Sequence, residues 1–364
     1  MSIYKPEYSF WTLAWHRLRK KTGAMAGLCI ILLALIIGIF CYLITTDGTP
    51  FADRQIVEIQ AKKPGFKQLF INIRKEKVVL HTSILNRLLN GEEDQYKYVP
   101  INSYQQTSDS FIIQKFIDDG VEERQSFSKN IVAPFAITTK TFWLGTDRFG
   151  RDILSRLAVG VRVSLAVGLI TVLISLSIGV ILGALAGYYG GATDNMIMWL
   201  INLIWSIPTL LLVFGITIAL GKGFWQIFIA VGLTMWVSVA RLIRGQVKVI
   251  REMEYIQAAR ALGLKDLRIM VRHILPNVLG PVIVIAASNF ATAIIIEAGL
   301  SFLGVGVQPP QPSWGLMIKE NYNFIITHNP TLAIAPGVAI MILVLAFNLL
   351  GNGLRDALDV RSKI

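Results

Sequence analysis

Few residues in this chain have the types and spacing for bond chemistry, and each has a plainer use. Asp147 and Asp152 flank Gly150, a separation at which two carboxylates could serve as general acid and base. Arg148, Arg151 and Arg156 around them favour another reading, in which the carboxylates pair with arginines and start a short interfacial helix. The histidines, at 16, 81, 273 and 328, have no metal-ligand spacing. Cys29 and Cys41 share one apolar run. On a helix they stand about 18 Å apart, beyond the ~4.4–6.8 Å Cα separation of a disulfide, so they read as packing residues. Gly215–Gly223 (GITIALGKG) looks superficially like the phosphate loop G-x-x-x-x-G-K-[ST]. Its spacing is one residue too long, Gly223 stands where Ser or Thr belongs, and neither strand nor helix N-terminus frames it. The expectation is therefore no catalytic residue, no bound cofactor, no metal, and no ATP hydrolysis by this chain alone.

Two polar residues inside apolar runs suggest passage rather than reaction. Glu297 falls near the outer end of one run and Asn289 two turns below it. Ionisable groups in a membrane helix face a cavity or a partner, so both are candidates for a translocation path. The alternative for Glu297 is to cap its helix beside the Pro309-Pro310 loop.

Gln257–Pro276 (QAARALGLKDLRIMVRHILP) is amphipathic and basic, yet it lies between two long apolar runs. Polar backbone is not left unsatisfied in lipid, which places the segment outside the bilayer. The adjacent Ala258 and Ala259 would let a helix sit deep in a partner's groove. Gly263 permits a sharp turn and Pro276 is expected to stop the second helix. Arg260, Lys265, Arg268 and Arg272 would flank such a docking surface. A basic helix resting on anionic headgroups is the competing use.

The elements that position these residues are mostly membrane helices. The 364 residues are 54% hydrophobic and 16% charged, with mean hydropathy +0.56, beyond the norm for soluble domains. Six apolar runs, about 24–44, 162–187, 195–220, 224–243, 277–300 and 331–351, approach the ~20 residues that a ~30 Å hydrocarbon core demands. The first run is longer than a signal-peptide core and reads as a retained anchor. Net charges of +4 over 1–22, +5 over 241–276 and +1 over 352–364 carry most of the formal +12. That placement is a topology signal rather than a nucleic-acid footprint: both termini and the 244–276 loop are expected on the cytoplasmic side. Residues 46–141 are polar, with 13 Lys/Arg against 12 Asp/Glu, too long for a structureless loop. Alternation at Arg54–Gln60 and Ser110–Phe116, with turns at Lys63-Pro64-Gly65 and Asp118-Asp119-Gly120, predicts a small α+β extracytoplasmic domain. Gly179, Gly183 and Gly187 recur every four residues and line one helix face for close packing in lipid.

The Gln257–Pro276 frame resembles the EAA loop of ABC importer permeases: Ala258, Ala259, Gly263, Leu275 and Pro276 fall at matching spacing. Gln257 stands in place of the Glu and His273 in place of the Ile, with Glu254 one turn earlier on the same helix. Leu144–Leu157, Gly187–Asp194, Glu297–Gly315 and Leu354–Asp359 are similar to signatures of the dipeptide/oligopeptide/nickel permeases. Trp15–Leu28 resembles the start of their C-type subunit. The resemblance covers about 1–45 and 142–364. It implies an all-α polytopic protein with six transmembrane helices (the type I ABC importer permease fold) and a small α+β extracytoplasmic insert. The parts would be a cytoplasmic segment 1–23, a first helix 24–44, the insert 45–141, a permease core 142–351 with coupling loop 244–276, and a cytoplasmic tail 352–364. The resemblance further implies a multi-pass subunit of the bacterial inner membrane, forming half of a translocation pathway for peptides or similar small solutes. Its partners would be a second homologous permease, two ATPase subunits that bind ATP and Mg, and an extracytoplasmic solute-binding protein. Glu254, Gln257, Ala258, Ala259, Arg260, Gly263, Leu275 and Pro276 would dock the ATPase. Nickel or another metal chelate is the alternative cargo. A self-sufficient secondary transporter would need paired mid-membrane charges and inverted repeats, of which the chain offers one acidic residue and no convincing repeat. A signalling or anchoring protein centred on 46–141 is the remaining alternative.

Overall fold

The computed structural model describes residues 10–76, 83–326 and 329–358. His81, His328, Lys5, Glu7, Asp359, Arg361 and Lys363 lie outside them. In chain order the helices are α1 (Phe10–Arg19), α2 (Thr22–Ile44), α3 (Ile84–Asn90), α4 (Ile153–Tyr189), α5 (Gly191–Trp205), α6 (Thr209–Leu220), α7 (Phe224–Arg251), α8 (Glu254–Ala261), α9 (Asp266–Ile269), α10 (Leu275–Leu303), α11 (Trp314–Asn321) and α12 (Thr331–Leu358). Strands β1 (Phe66–Arg74), β2 (Tyr96–Gln106), β3 (Ser110–Asp118), β4 (Val121–Ser128) and β5 (Val132–Phe142) fill the interval between α2 and α4. The chain divides into two compact units, one of Met1–Leu33, Leu165–Leu300 and Ile340–Ile364, the other of Ala34–Ser164 and Ser301–Ala339.

Among the described residues five helical stretches are long and apolar enough to cross a membrane: α2, α4, α7, the run from α9 through α10, and α12. The expected span at 195–220 is instead a broken pair, α5 and α6, bent by 90°. Pro208 is the cause. It lacks an N–H and disfavours helical backbone at Ile207, and it sits at φ −54°, ψ 125° as the residue before α6. The expected short interfacial helix near Asp152 is the first part of α4, which runs 37 residues from Ile153. Asp152 caps it, its carboxylate accepting from Ser155 N at 3.3 Å and Ser155 Oγ at 2.5 Å.

In the unit built on Leu165–Leu300, the glycine stripe of α4 meets α7 as its spacing predicts. A Cβ on Gly179 would lie 2.5 Å from Val239 Cβ, one on Gly183 2.5 Å from Ala240 O, and one on Gly187 2.8 Å from Arg244 O. Only glycine permits that approach. Cys29 and Cys41 share α2, the first exposed and the second buried.

In the other unit the five strands form an antiparallel sheet of order β4-β3-β2-β1-β5. Alternation along β1 sends Ile71 to one face, with Val99, Ile101 and Ile113, and Phe70 to the other, with Phe116 and Phe142. Ser110–Phe116 is strand as expected, and Gly120 closes the β3–β4 hairpin at φ +82°. Arg54–Gln60 is not a strand: Val57–Ile59 is a 3₁₀ turn. Its apolar residues Ile56 and Ile59 are three apart, a helical spacing, and both plug into the Phe70 face. The segment before α4 is fastened by a buried ionic cluster. Arg151 binds Asp147 at 2.5 Å, Glu320 at 2.7 Å and Asp53 at 3.0 Å, with Arg156 3.5 Å from Asp53 and 3.6 Å from Glu320.

Candidate functional site

The loop expected to dock a partner lies wholly within the first unit, between α7 and α10. Helix α8 ends at Ala261 because Gly263 takes φ +77°, its N–H closing on Arg260 O at 3.0 Å while Leu264 N reaches Ala259 O at 3.2 Å. These 4→1 and 6→1 bonds satisfy carbonyls that a helix end otherwise leaves open. The turn at Gly263 is thus as its sequence predicts.

The expected stop at Pro276 is overturned. The chain continues from α9 through a π-helical turn, Met270–Ile274, directly into α10, and Pro276 sits in the first turn of α10. Leu275 N bonds Met270 O, five residues back. Proline breaks a regular helix by its missing donor and its clash with the carbonyl four residues earlier. The wider π turn lies directly before the proline, where that clash would fall.

Two faces result. Ile256, Ile269, Met270 and Ile274 are buried, with Ala259, Leu264 and Leu275 half-buried, in one cluster with Ala184 and Tyr188 of α4, Val239, Ile243, Val247 and Ile250 of α7, and Val278 of α10. Glu254, Gln257, Ala258, Arg260, Gly263 and Pro276 are exposed. Of the predicted docking residues, Ala259 and Leu275 therefore serve the inner face and the other six the outer. Beside them stand Leu262 at 80% exposure and Leu267 at 69%, large apolar side chains that the motif frame does not include. A hydrophobic pattern in α8 and α9 alone could have identified them.

Tyr188 is a further position, packed against this loop, that the residue pattern left unassigned. Its hydroxyl donates to Asp266 Oδ1 at 2.6 Å, its carbonyl accepts from Arg251 Nη1 at 2.8 Å, and the Arg260 guanidinium lies 5.3 Å from its ring. One residue at the end of α4 so fastens the end of α7 through its carbonyl, and the end of α8 and the start of α9 through its side chain. The Tyr188 hydroxyl also raises the pKa of Arg260 above its ordinary value. Next to it, Asp194 in the first turn of α5 binds Arg244 Nη2 and Lys248 Nζ of α7, each at 2.8 Å. A carboxylate there also complements the helix dipole. Gln257, in the position of the expected Glu, turns its amide back to Glu252 O at 3.1 Å. The His273 carbonyl accepts from Asn277 Nδ2 at 2.6 Å.

Asn289 and Glu297 stand elsewhere. Both belong to α10 and are buried, Glu297 fully. At 1.5 Å per residue they lie about 21 and 33 Å along the helix from Leu275. The structure does not bring them together with the loop.

Comparison with known proteins identifies the family. The family described as "Binding-protein-dependent transport system inner membrane component" matches residues 179–364, and the "N-terminal TM domain of oligopeptide transport permease C" matches residues 9–64. A glutathione transport system permease protein of Pectobacterium atrosepticum is 43% identical over 221 residues, covering 61% of this chain and 73% of that protein. A dipeptide transport system permease protein of Alkalihalophilus pseudofirmus is 44% identical over 221 residues, covering 61% and 72%. Among solved structures, an inward-facing MetNI methionine ABC transporter aligns with TM-score 0.46 at 21% identity, over 56% of this chain and 96% of its own. The chain belongs to the family of inner membrane components of binding-protein-dependent transport systems, with the N-terminal domain of the oligopeptide permease C type.

Proposed function

We propose that this chain forms half of the translocation pathway of an ATP-driven importer whose cargo is peptides or similar small solutes. The observation that carries this reading is the two-faced loop, whose buried side chains are shared with three of the long apolar helices. A partner gripping Ala258, Leu262 and Leu267 on the outside would move Ile256, Ile269 and Ile274 on the inside. Close-packed interiors transmit such displacements instead of absorbing them. The partner would be a pair of cytoplasmic ATPases, which bind ATP and Mg, so that their closure pulls the loop and rocks α4, α7 and α10 between inward- and outward-facing states. Cargo is bound and released with no bond broken. The peptide class is supported by the substrates for which the relatives are named, glutathione and dipeptide.

In this reading α5 and α6 together make the sixth span, giving the type I permease arrangement. The termini and the 244–276 loop are cytoplasmic, and the sheet lies on the opposite side, where a solute-binding protein delivers cargo. A second, homologous permease completes the pathway, and Asn289 and Glu297 line it. The test is affinity purification of the intact complex, then ATPase and uptake assays with peptides and nickel chelates. Peptide-stimulated hydrolysis in a complex with two ATPases and a second permease is expected. Recovery of the chain alone, or uptake driven by a proton gradient without ATPases, would overturn the reading; stimulation by nickel chelates alone would replace the cargo.

A further inference from the structure

Helix α3, in the sheet-bearing unit, has an apolar side that is exposed among the described residues. Its sequence Ile84-Leu85-Asn86-Arg87-Leu88-Leu89-Asn90 places apolar residues at i, i+1, i+4 and i+5. Ile84 is 80% exposed, Leu85 72% and Leu89 57%. An isolated helix of seven residues is marginal in water, so something besides its own hydrogen bonds must hold it.

Its ends show what surrounds it. Arg162, in α4, donates from Nη1 to Leu89 O at 2.9 Å and to Leu88 O at 3.4 Å, the open carbonyls of the last turn of α3. The same guanidinium lies 5.3 Å from the Tyr42 ring and 3.9 Å from Cys41 Sγ, both in the last turn of α2. Just beyond α3, Glu92 N bonds Gly48 O at 2.9 Å, four residues past the end of α2. The C-terminus of α3 is thereby level with the end of one long apolar helix and the early turns of another. On the other face of α2 from Cys41, the residues Ile36, Ile39, Phe40 and Leu43 are apolar and exposed. An arginine whose stem runs along apolar helices while its head meets carbonyls marks a membrane–water boundary.

We propose that α3 is an interfacial helix lying in the headgroup layer of the bilayer, with Ile84, Leu85 and Leu89 inserted among lipid. The proposal rests on reading α2 and α4 as membrane spans. The occupant is lipid because the bonds of Arg162 and of Glu92 N set the C-terminus of α3 level with the end of α2, whose outward side is exposed and apolar as far as Leu43 and Ile44. A short helix with one apolar side and a polar side (Asn86, Arg87, Asn90) suits that layer. It would hold the sheet against the membrane surface.

The test uses the full chain carrying Cys29→Ser, with buried Cys41 left in place, in phosphatidylethanolamine–phosphatidylglycerol vesicles. Single cysteines at Leu85→Cys, Leu89→Cys, Ile36→Cys and Val121→Cys are labelled with an environment-sensitive fluorophore. Each is quenched from water by iodide and from the headgroup layer by nitroxide lipid. Positions 85 and 89 are expected to be quenched by the lipid and to be several-fold less sensitive to iodide than exposed Val121 in β4. Iodide quenching at 85 and 89 equal to that at 121, with 36 still protected, overturns the proposal alone. Loss of protection at 36 as well overturns the membrane reading beneath it. Protection at 85 and 89 that appears only when other subunits are added also overturns it, assigning the face to a protein.

Discussion

Replacing Gly263 separates two ways in which the loop could matter. At φ +77° the residue is left-handed, and no heavy atom lies within 4 Å of a Cβ built there. Any side chain is therefore charged only for the backbone conformation, about 1–2 kcal/mol for most residues and less for Asn or Asp. That corresponds to roughly a 5- to 30-fold loss in the fraction of loops correctly folded. If the turn alone is needed, Gly263→Asn stays near wild type, Gly263→Ala loses severalfold, and Gly263→Val loses most. If a partner also sits against this exposed position, Gly263→Asp and Gly263→Asn both fall well below Gly263→Ala, because bulk and charge meet the partner whatever the backbone cost. We expect the second pattern, with Gly263→Asp uncoupling ATP hydrolysis from uptake. The assay is peptide transported per ATP hydrolysed by the complex reconstituted in vesicles. Unchanged stoichiometry in both Gly263→Asp and Gly263→Val would refute the assignment of this loop to coupling.

Gly183→Ala places a Cβ 2.5 Å from Ala240 O and 2.9 Å from Ile243 Cβ, so α4 and α7 must separate at a cost of about 1–3 kcal/mol. The thermal midpoint of the purified chain should fall, whereas Gly215→Ala, with nothing within 4 Å, should not lower it. Tyr188→Phe removes the 2.6 Å bond to Asp266, worth about 1–3 kcal/mol with a charged acceptor; faster amide exchange across 254–274 with α12 unchanged is the expected result. Arg156→Met leaves Asp53 and Asp147 to Arg151, and Glu320 to Arg151 and the half-exposed Arg148, and breaking a buried ionic group this way costs about 3–5 kcal/mol. Differential scanning should show the loss. Lys140, stacked 3.7 Å from the Tyr98 ring, has its pKa lowered to about 8, first by burial and then by Arg54. Between about 8 and its ordinary 10.5 the unfolded chain binds the extra proton, so this lysine makes the sheet more stable as pH rises through that window. Urea denaturation at pH 8 and pH 10 should show this rise, and Lys140→Met should remove it.

What was legible in the chain is what local rules decide. The glycine stripe at 179, 183 and 187 announces a close helix approach because nothing else explains a four-residue period of missing side chains. Gly263 announces a turn, and the hairpin at Asp118-Asp119-Gly120 its own closure. The errors share a cause too, since each required knowing what a neighbouring turn would do. Pro276 looks like a stop because a proline cannot continue a regular helix, but a preceding π turn removes the clash. The run 195–220 looks like one span by length and composition, yet Pro208 splits it into helices at 90°. Ile56 and Ile59 look like alternation until Phe70, Phe116 and Phe142 supply one apolar face for both.

The loop shows how far a motif frame carries and where it ends. Spacing alone marks Ala258, Gly263 and Pro276, residues defined by what they lack: bulk, a Cβ, an N–H. It is silent on Tyr188, whose partners Asp266, Arg251 and Arg260 lie 63 to 78 residues away in the chain. Those contacts exist only because α4 and α7 pack closely enough, through the glycine stripe, to bring their ends side by side. The stripe and the loop are then one device. Glycines along α4 set its distance from α7, that distance places Tyr188 over α8 and α9, and Tyr188 holds the turn that Gly263 makes. A substitution in the stripe should therefore impair the loop as Tyr188→Phe does, with the same faster exchange over 254–274, although Gly179 and Gly183 make no contact with it. Gly183→Ala that lowers the thermal midpoint yet leaves exchange in 254–274 unchanged would break this chain of dependence at its second step.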